Sequence, residues 1–464
     1  MRPSLPAAIA VVLATVLAAC AAPIGGTTSP VDGVWRTDGY GWIISVRNGQ
    51  AETFDTTSVS CLPNRTLTQL EGPAPDGTVQ FGNQDGAVET LRRTPDDQGA
   101  LRLLGTAADI DLVPVPELPE ACTRPVPNDP VTNFDVFWAT FAENYNSTVR
   151  KNIDWNAVRA QYRPMVNANT TPDELYRILV SMIRPLGDAH ASIDADDRSF
   201  AAKRQGTRDE HDVSRRDAID AVDDHLHEDL RVTDIQTFAN NRIAYADLPG
   251  GRGYLRITSF EKYDRDDNVF PANSAVLTRT LNTIFTQARI NAWRGLIIDI
   301  RFNTGGDDEL GLQVASRLTN TAYTAYTKDA RNNPTDPNSH GRLRTVTVTP
   351  YDGPRYLGPV RLLTSDLTVS AGETFTEAML GRTPAPSRVG TATQGVFADD
   401  MERKLPNGWT FTLGNEDYFA PDGTDYEEVG IPPTTQTPVF TPDELAQHKD
   451  SALDAPWPEL GSFH

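Results

Sequence analysis

Cysteine, positive charge and long apolar runs are all scarce in this chain, and each scarcity excludes something. Three cysteines, none at metal-ligand spacing, and seven scattered histidines without an H-E-x-x-H motif leave no metal site and no cofactor to assign. Lys and Arg number 42 against 63 Asp and Glu, a formal net charge of -21 that repels nucleic acid and anionic membrane surfaces. The apolar run Ala7 to Leu17 is too short for a settled transmembrane helix. No long-period repeat is visible, which argues against a solenoid. What remains is a chain of 464 residues, long enough for two or three domains, whose 39% hydrophobic content can bury a sizeable core.

The N-terminus reads as a processing signal. Arg2 gives a positive start, and the apolar run ends in Leu17-Ala18-Ala19-Cys20, which resembles the bacterial lipobox. That resemblance implies cleavage before Cys20, lipid on its thiol, and a cell-envelope lipoprotein held to the membrane by its anchor alone. An ordinary signal peptide cut nearby is the alternative, and either way the mature chain is exported. Residues 21–30 read as a tether. Cys61 and Cys122 are then the leftover pair, expected to form a disulfide in an oxidising compartment.

Residues 31–115 carry short runs such as Trp42-Ile43-Ile44-Ser45-Val46 between turn signals, predicting a small β-sandwich or barrel. A proline-rich linker covers 116–132. From Asn133 the period turns helical, predicting a helical bundle over 133–199. Residues 200–241 are a charged excursion, partly helical, without the features of a peptide-binding insert. An α/β core follows over 242–464, where strand–turn–helix units recur.

Four segments carry the chemistry. Ser370 lies between the strand-like Val360-Arg361-Leu362-Leu363-Thr364 and a helix-like run from Glu373 to Leu380. A serine at that switch presents its hydroxyl to a pocket where new-helix N–H groups converge, although such a serine is also a common N-cap. Asp299-Ile300-Arg301-Phe302-Asn303-Thr304-Gly305-Gly306 ends the most apolar strand. Its glycines allow close backbone approach, and Asp299 and Arg301 are able to brace the turn. His190 in Leu186-Gly187-Asp188-Ala189-His190 is either a base or a structural histidine. Glu427 and Glu428 precede Gly430-Ile431-Pro432, as acids of a site or of a surface.

Together these segments resemble the S41 serine peptidases over about 133–464, a family that includes C-terminal-processing proteases, the tricorn core protease and interphotoreceptor retinoid-binding repeats. The resemblance implies a crotonase/ClpP-like layered ββα core, with Asp450-Ser451-Ala452-Leu453 as the last helix. A processing-type lysine base would fall at Val396, so a tricorn-like arrangement is the closer match. It implies Ser370 as nucleophile, His190 as base, Glu427 as the orienting acid, and N–H groups of Gly305, Gly306 and Ala371 as an oxyanion hole. The tricorn-like serine beside the histidine is replaced by Ala189, leaving Asp188, Ser192 or water to substitute, with Glu428 a competitor for the Glu427 role. The expected activity is serine endopeptidase action on an extended peptide or protein substrate. The alternative is a non-proteolytic binding lipoprotein on the same fold, and no oligomeric state is assigned.

Overall fold

A computed structural model describes residues 29–83, 86–208 and 212–457. The lipobox, including Cys20, and most of the tether lie outside them. Among the described residues no helix is long and apolar enough to cross a membrane.

Between Gly33 and Val115, eight strands form a closed antiparallel barrel. Closure comes from the first strand, Gly33–Thr37, pairing with the last, Ile110–Val115, in the register Val34 to Val115 and Arg36 to Val113. Alternation puts Trp35, Ile44, Leu67, Phe81 and Leu101 inside, where they fill the barrel. A disulfide joins Cys61, on the strand Cys61–Gln69, to Cys122 in the linker.

The linker delivers the chain to helix Pro130–Asn144, which Asp129 caps through the N–H groups of Val131 and Thr132. Helices Trp155–Tyr162 and Pro172–Ile183 complete the bundle, the latter started by a Thr171–Glu174 capping box. The helical region ends earlier than the expected 199. Gly187, at φ 60°, turns the chain into a hairpin of strands Asp188–Ala195 and Arg198–Ala202. The reason is a switch of period, because Ala191, Ile193 and Ala195 alternate into the core. Strand Thr410–Thr412 pairs with the same hairpin, bringing Thr412 opposite Ser192.

The charged excursion is anchored. Helix Arg215–Glu228 buries Val222 and Leu226 against Leu248, Tyr254 and Leu363 on one face of the main sheet. That sheet has seven strands. Strand Arg252–Ile257 runs parallel to Gly295–Asp299, then Val360–Thr364, then Ser387–Gly390, and an antiparallel pair flanks one side. Helices Phe270–Ile284, Asp308–Ala315 and Ala371–Leu380 cover the opposite face. The core is therefore layered α/β, and its central strands are apolar on both sides because both faces are covered. The expected last helix at 450–453 is a turn instead, and the helix lies at Pro442–Gln447. Asp450 is needed elsewhere, as a partner for Arg301.

Candidate active site

Two parallel strands end side by side and aim their turns at one cleft. After Val360–Thr364, Thr368 Oγ1 donates to the carbonyl of Ile300 at 2.8 Å, and the Val369 N–H donates to that of Asn303 at 3.0 Å. The chain then enters helix Ala371–Leu380 through Ser370, at φ 55° and ψ −126°. An N-cap residue is normally extended and accepts a first-turn N–H through its side chain; Ser370 is not extended, and only its backbone carbonyl accepts, from Glu373 and Thr374. Holding a non-glycine residue at positive φ costs of order 1–3 kcal/mol. The contacts over-determine it, since the Ser370 N–H donates to the Val396 carbonyl at 3.1 Å. Gly372 is required for the approach to Asn303, because a Cβ there would lie 2.8 Å from Oδ1. The Ser370 hydroxyl is thus left for the cleft.

The neighbouring turn is braced as its sequence allowed. Arg301 donates to both carboxylate oxygens of Asp299 and both of Asp450, with all three side chains buried. Gly305 and Gly306 have φ of 85° and 127°. A Cβ on Gly305 would lie 2.6 Å from the Ser370 Cβ, so the turn touches the serine. The three expected anion donors are not equivalent. The Gly305 N–H already donates to Asn303 Oδ1 at 3.0 Å, which removes it from the set. The N–H groups of Gly306 and Ala371 meet no acceptor among the described residues.

His190 comes from the strand Asp188–Ala195. Its own N–H donates to Asp188 Oδ1 at 2.8 Å, and its carbonyl accepts from Thr412 Oγ1 at 2.6 Å. Its Nε2 is 3.5 Å from Asp400 Oδ1, and its Nδ1 is buried without a hydrogen-bond partner among the described residues. Burial opposes charge on the ring, but the carboxylates of Asp400, Asp188, Glu427 and Asp399 outweigh it and raise its pKa above the usual imidazole value. No hydrogen bond joins the ring to Ser370 among the described residues. Both nevertheless line one cavity of about 490 Å³ with Gly306.

Behind the ring, Asp188 Oδ2 accepts from the buried Tyr145 hydroxyl at 2.9 Å. Glu427 Oε2 accepts from the Phe397 N–H at 3.0 Å. Burial, then the charge of Asp188, pushes the Glu427 pKa up to about 8. The other candidates point elsewhere. Ser192 bonds to Thr412 at 2.7 Å, and Glu428, at φ 71°, turns away to Lys151 at 3.1 Å. The positive φ reverses the chain between Glu427 and Glu428, so adjacent acids face different neighbours.

Two residues of the site lacked any sequence signal as members of it. Glu373 is fully buried one turn into the serine helix and accepts the N–H groups of Gly395 and Val396 at 2.6 and 2.7 Å, fixing the segment that holds Ser370. Burial pushes its pKa up to about 7. Asp400 sits in no motif, and only the fold sets it beside His190. A possible cation cluster, Asp329, His340 and Asp417, lies apart from this cleft. Asp417 there already accepts from Asn146 and Arg150, each at 2.8 Å.

A layered α/β core with a strained serine at a strand–helix switch, a histidine on the same cavity and two unoccupied N–H groups defines a serine-type peptidase. The model of peptidase family S41 matches residues 251–437, and that of the tricorn protease C1 domain matches 127–184. The chain belongs to peptidase family S41, on its tricorn-like side. No curated protein matches it. Among solved structures it is similar to a candidate peptidase from Parabacteroides merdae ATCC 43184, at 24% identity and a TM-score of 0.58 over 71% of this chain and 96% of that one. It is also similar to a mutant of CPAF, at 11% identity and a TM-score of 0.50 over 69% of this chain and 94% of that one. Both likenesses are of fold.

Proposed function

We infer that this peptidase is an exported serine endopeptidase in which Ser370 attacks the scissile carbonyl and His190 is general base, then general acid. The observation that carries the reading is the backbone of Ser370, held at positive φ against Gly305 with its hydroxyl uncommitted. His190 Nε2 leaves the exposed Asp400 for the serine hydroxyl, takes its proton, and returns it to the departing amine. The Gly306 and Ala371 N–H groups stabilise the tetrahedral oxyanion, and losing one such donor costs about 3 kcal/mol in the barrier. The carboxyl groups of Asp188 and Glu427 stand behind the ring, and their negative field favours the imidazolium. That field takes the place of the serine relay that Ala189 removes. The repeated strand–turn–helix units support a core of the crotonase/ClpP-like type.

A fluorophosphonate probe tests the nucleophile. Labelling of the wild type at Ser370, with a folded, unlabelled and inactive Ser370→Ala, is the expected result. An unlabelled wild type with intact fold returns the protein to the binding-lipoprotein reading. Export and a lipid on Cys20 are proposed together, supported by the lipobox sequence and by a disulfide that suits an oxidising compartment. Cys20→Ser is expected to move the protein from the membrane to the soluble fraction.

A further inference from the structure

The barrel does more than precede the peptidase core. A second cavity, of about 220 Å³, opens where the two meet. Tyr40, Leu103 and Ile110 come to it from the barrel, and Met401 and Asn415 from the core. Asp399 and Asp400 line this cavity and also the cleft of Ser370 and His190, so the two spaces adjoin at these acids.

We propose that this seam is a substrate subsite for a lysine or arginine side chain on the leaving-group side of the scissile bond. Position follows from Asp400, 3.5 Å from the His190 nitrogen that gives a proton to the leaving amine. The substrate segment carrying that amine passes Asp400 as it leaves the cleft. Chemistry follows from the walls. Leu103, Ile110 and Met401 suit the apolar stem of a long side chain, and the acids suit its cationic end. Lys328, 3.3 Å from Asp399 and 3.0 Å from Glu416, is the one cation lining the seam among the described residues, against the three carboxylates Asp399, Asp400 and Glu416. Three carboxylates against one ammonium leave two formal negative charges, and Asp400, which Lys328 does not pair with, offers one of them to a ligand. A second observation is independent of charge. Asn415 is 1% exposed and its Nδ2 has no acceptor among the described residues, so it is a donor ready for a peptide carbonyl.

The subsite rests on the peptidase reading, and the test separates the two. Cleavage sites in a peptide library, mapped by mass spectrometry with the full mature protein, are expected to favour Lys or Arg just after the cut. Ala108→Trp fills the seam from the barrel side, and Thr106→Trp does so if the first variant folds poorly. Either is expected to erase the preference while Ser370 still reacts with fluorophosphonate. Binding to Ser370→Ala, read by fluorescence anisotropy, removes chemistry from the question. A fluorescein-labelled peptide with one arginine should bind about tenfold tighter than its norleucine counterpart, and the tryptophan variant should equalise them. Equal binding of the two peptides, or a preference that survives the filled seam, overturns the subsite. An unreactive Ser370 with the arginine preference intact overturns the peptidase reading alone.

Discussion

Ser370, His190 and Asp400 show what single residues contribute to the cleft. The carboxylates around His190 raise its pKa, and a base works only when neutral, so they push the acid limb of the pH profile upward. Asp400→Asn removes the neighbour at 3.5 Å and is expected to move that limb of kcat/KM to lower pH. An unchanged limb would mean that Asp400 does not act on the base. Gly305→Ala forces a Cβ to within 2.6 Å of the Ser370 Cβ, in a conformation that disfavours any side chain. Activity is expected to fall at least about 100-fold, since a displaced nucleophile of about 1 Å costs that much. Thermal melting distinguishes this from loss of fold.

Elements bring these residues together, and the sequence was legible unevenly at this scale. The Asp299–Gly306 and Thr368–Phe375 segments were readable because a parallel strand followed by a small-residue turn and a helix leaves a local pattern. The strain of Ser370 was not, because it depends on Val396 and Glu373 holding the serine from outside its segment. His190 stands out by its motif, but from sequence its strand reads as part of a helical bundle. The alternation of Ala191, Ile193 and Ala195 was present and short, and its pairing with Thr410–Thr412 lies over two hundred residues away. Barrel and sandwich could not be told apart because closure is a long-range pairing of first and last strands. Glu373→Gln tests the brace. It replaces one acceptor of two backbone N–H groups with a donor, and is expected to cost about 1–3 kcal/mol in urea unfolding while lowering turnover.

Across the whole molecule several buried acids hold their protons to higher pH than free carboxyls do. Burial leads the causes that push Asp307, Asp308 and Glu373 up to about 7 and Glu427 to about 8. The unfolded chain releases these protons near its ordinary carboxylate values, so it binds fewer protons than the native state in between. Stability present at acid pH is therefore lost as pH rises through 7 and 8, and His190, also raised, acts in the same direction. The melting temperature is expected to fall from pH 5.5 to pH 8.5 in calorimetry. A rise over that range would show that these carboxyls are ionised in the native protein. The disulfide closes a loop that runs through the barrel into the linker. Its 61-residue separation places its loop-closure contribution at roughly 4 kcal/mol, so Cys122→Ser should lower the unfolding midpoint.

The strand Thr410–Thr412 has a temporal meaning as well as a spatial one. A ribosome releases His190 long before that strand, and Ser370 some forty residues before it. Until the later segment arrives, the edge that seats the histidine has no partner and Glu427 does not yet exist. A half-delivered chain thus already owns its serine turn, while the cleft around it is still without the strand behind His190 and the acid beside it.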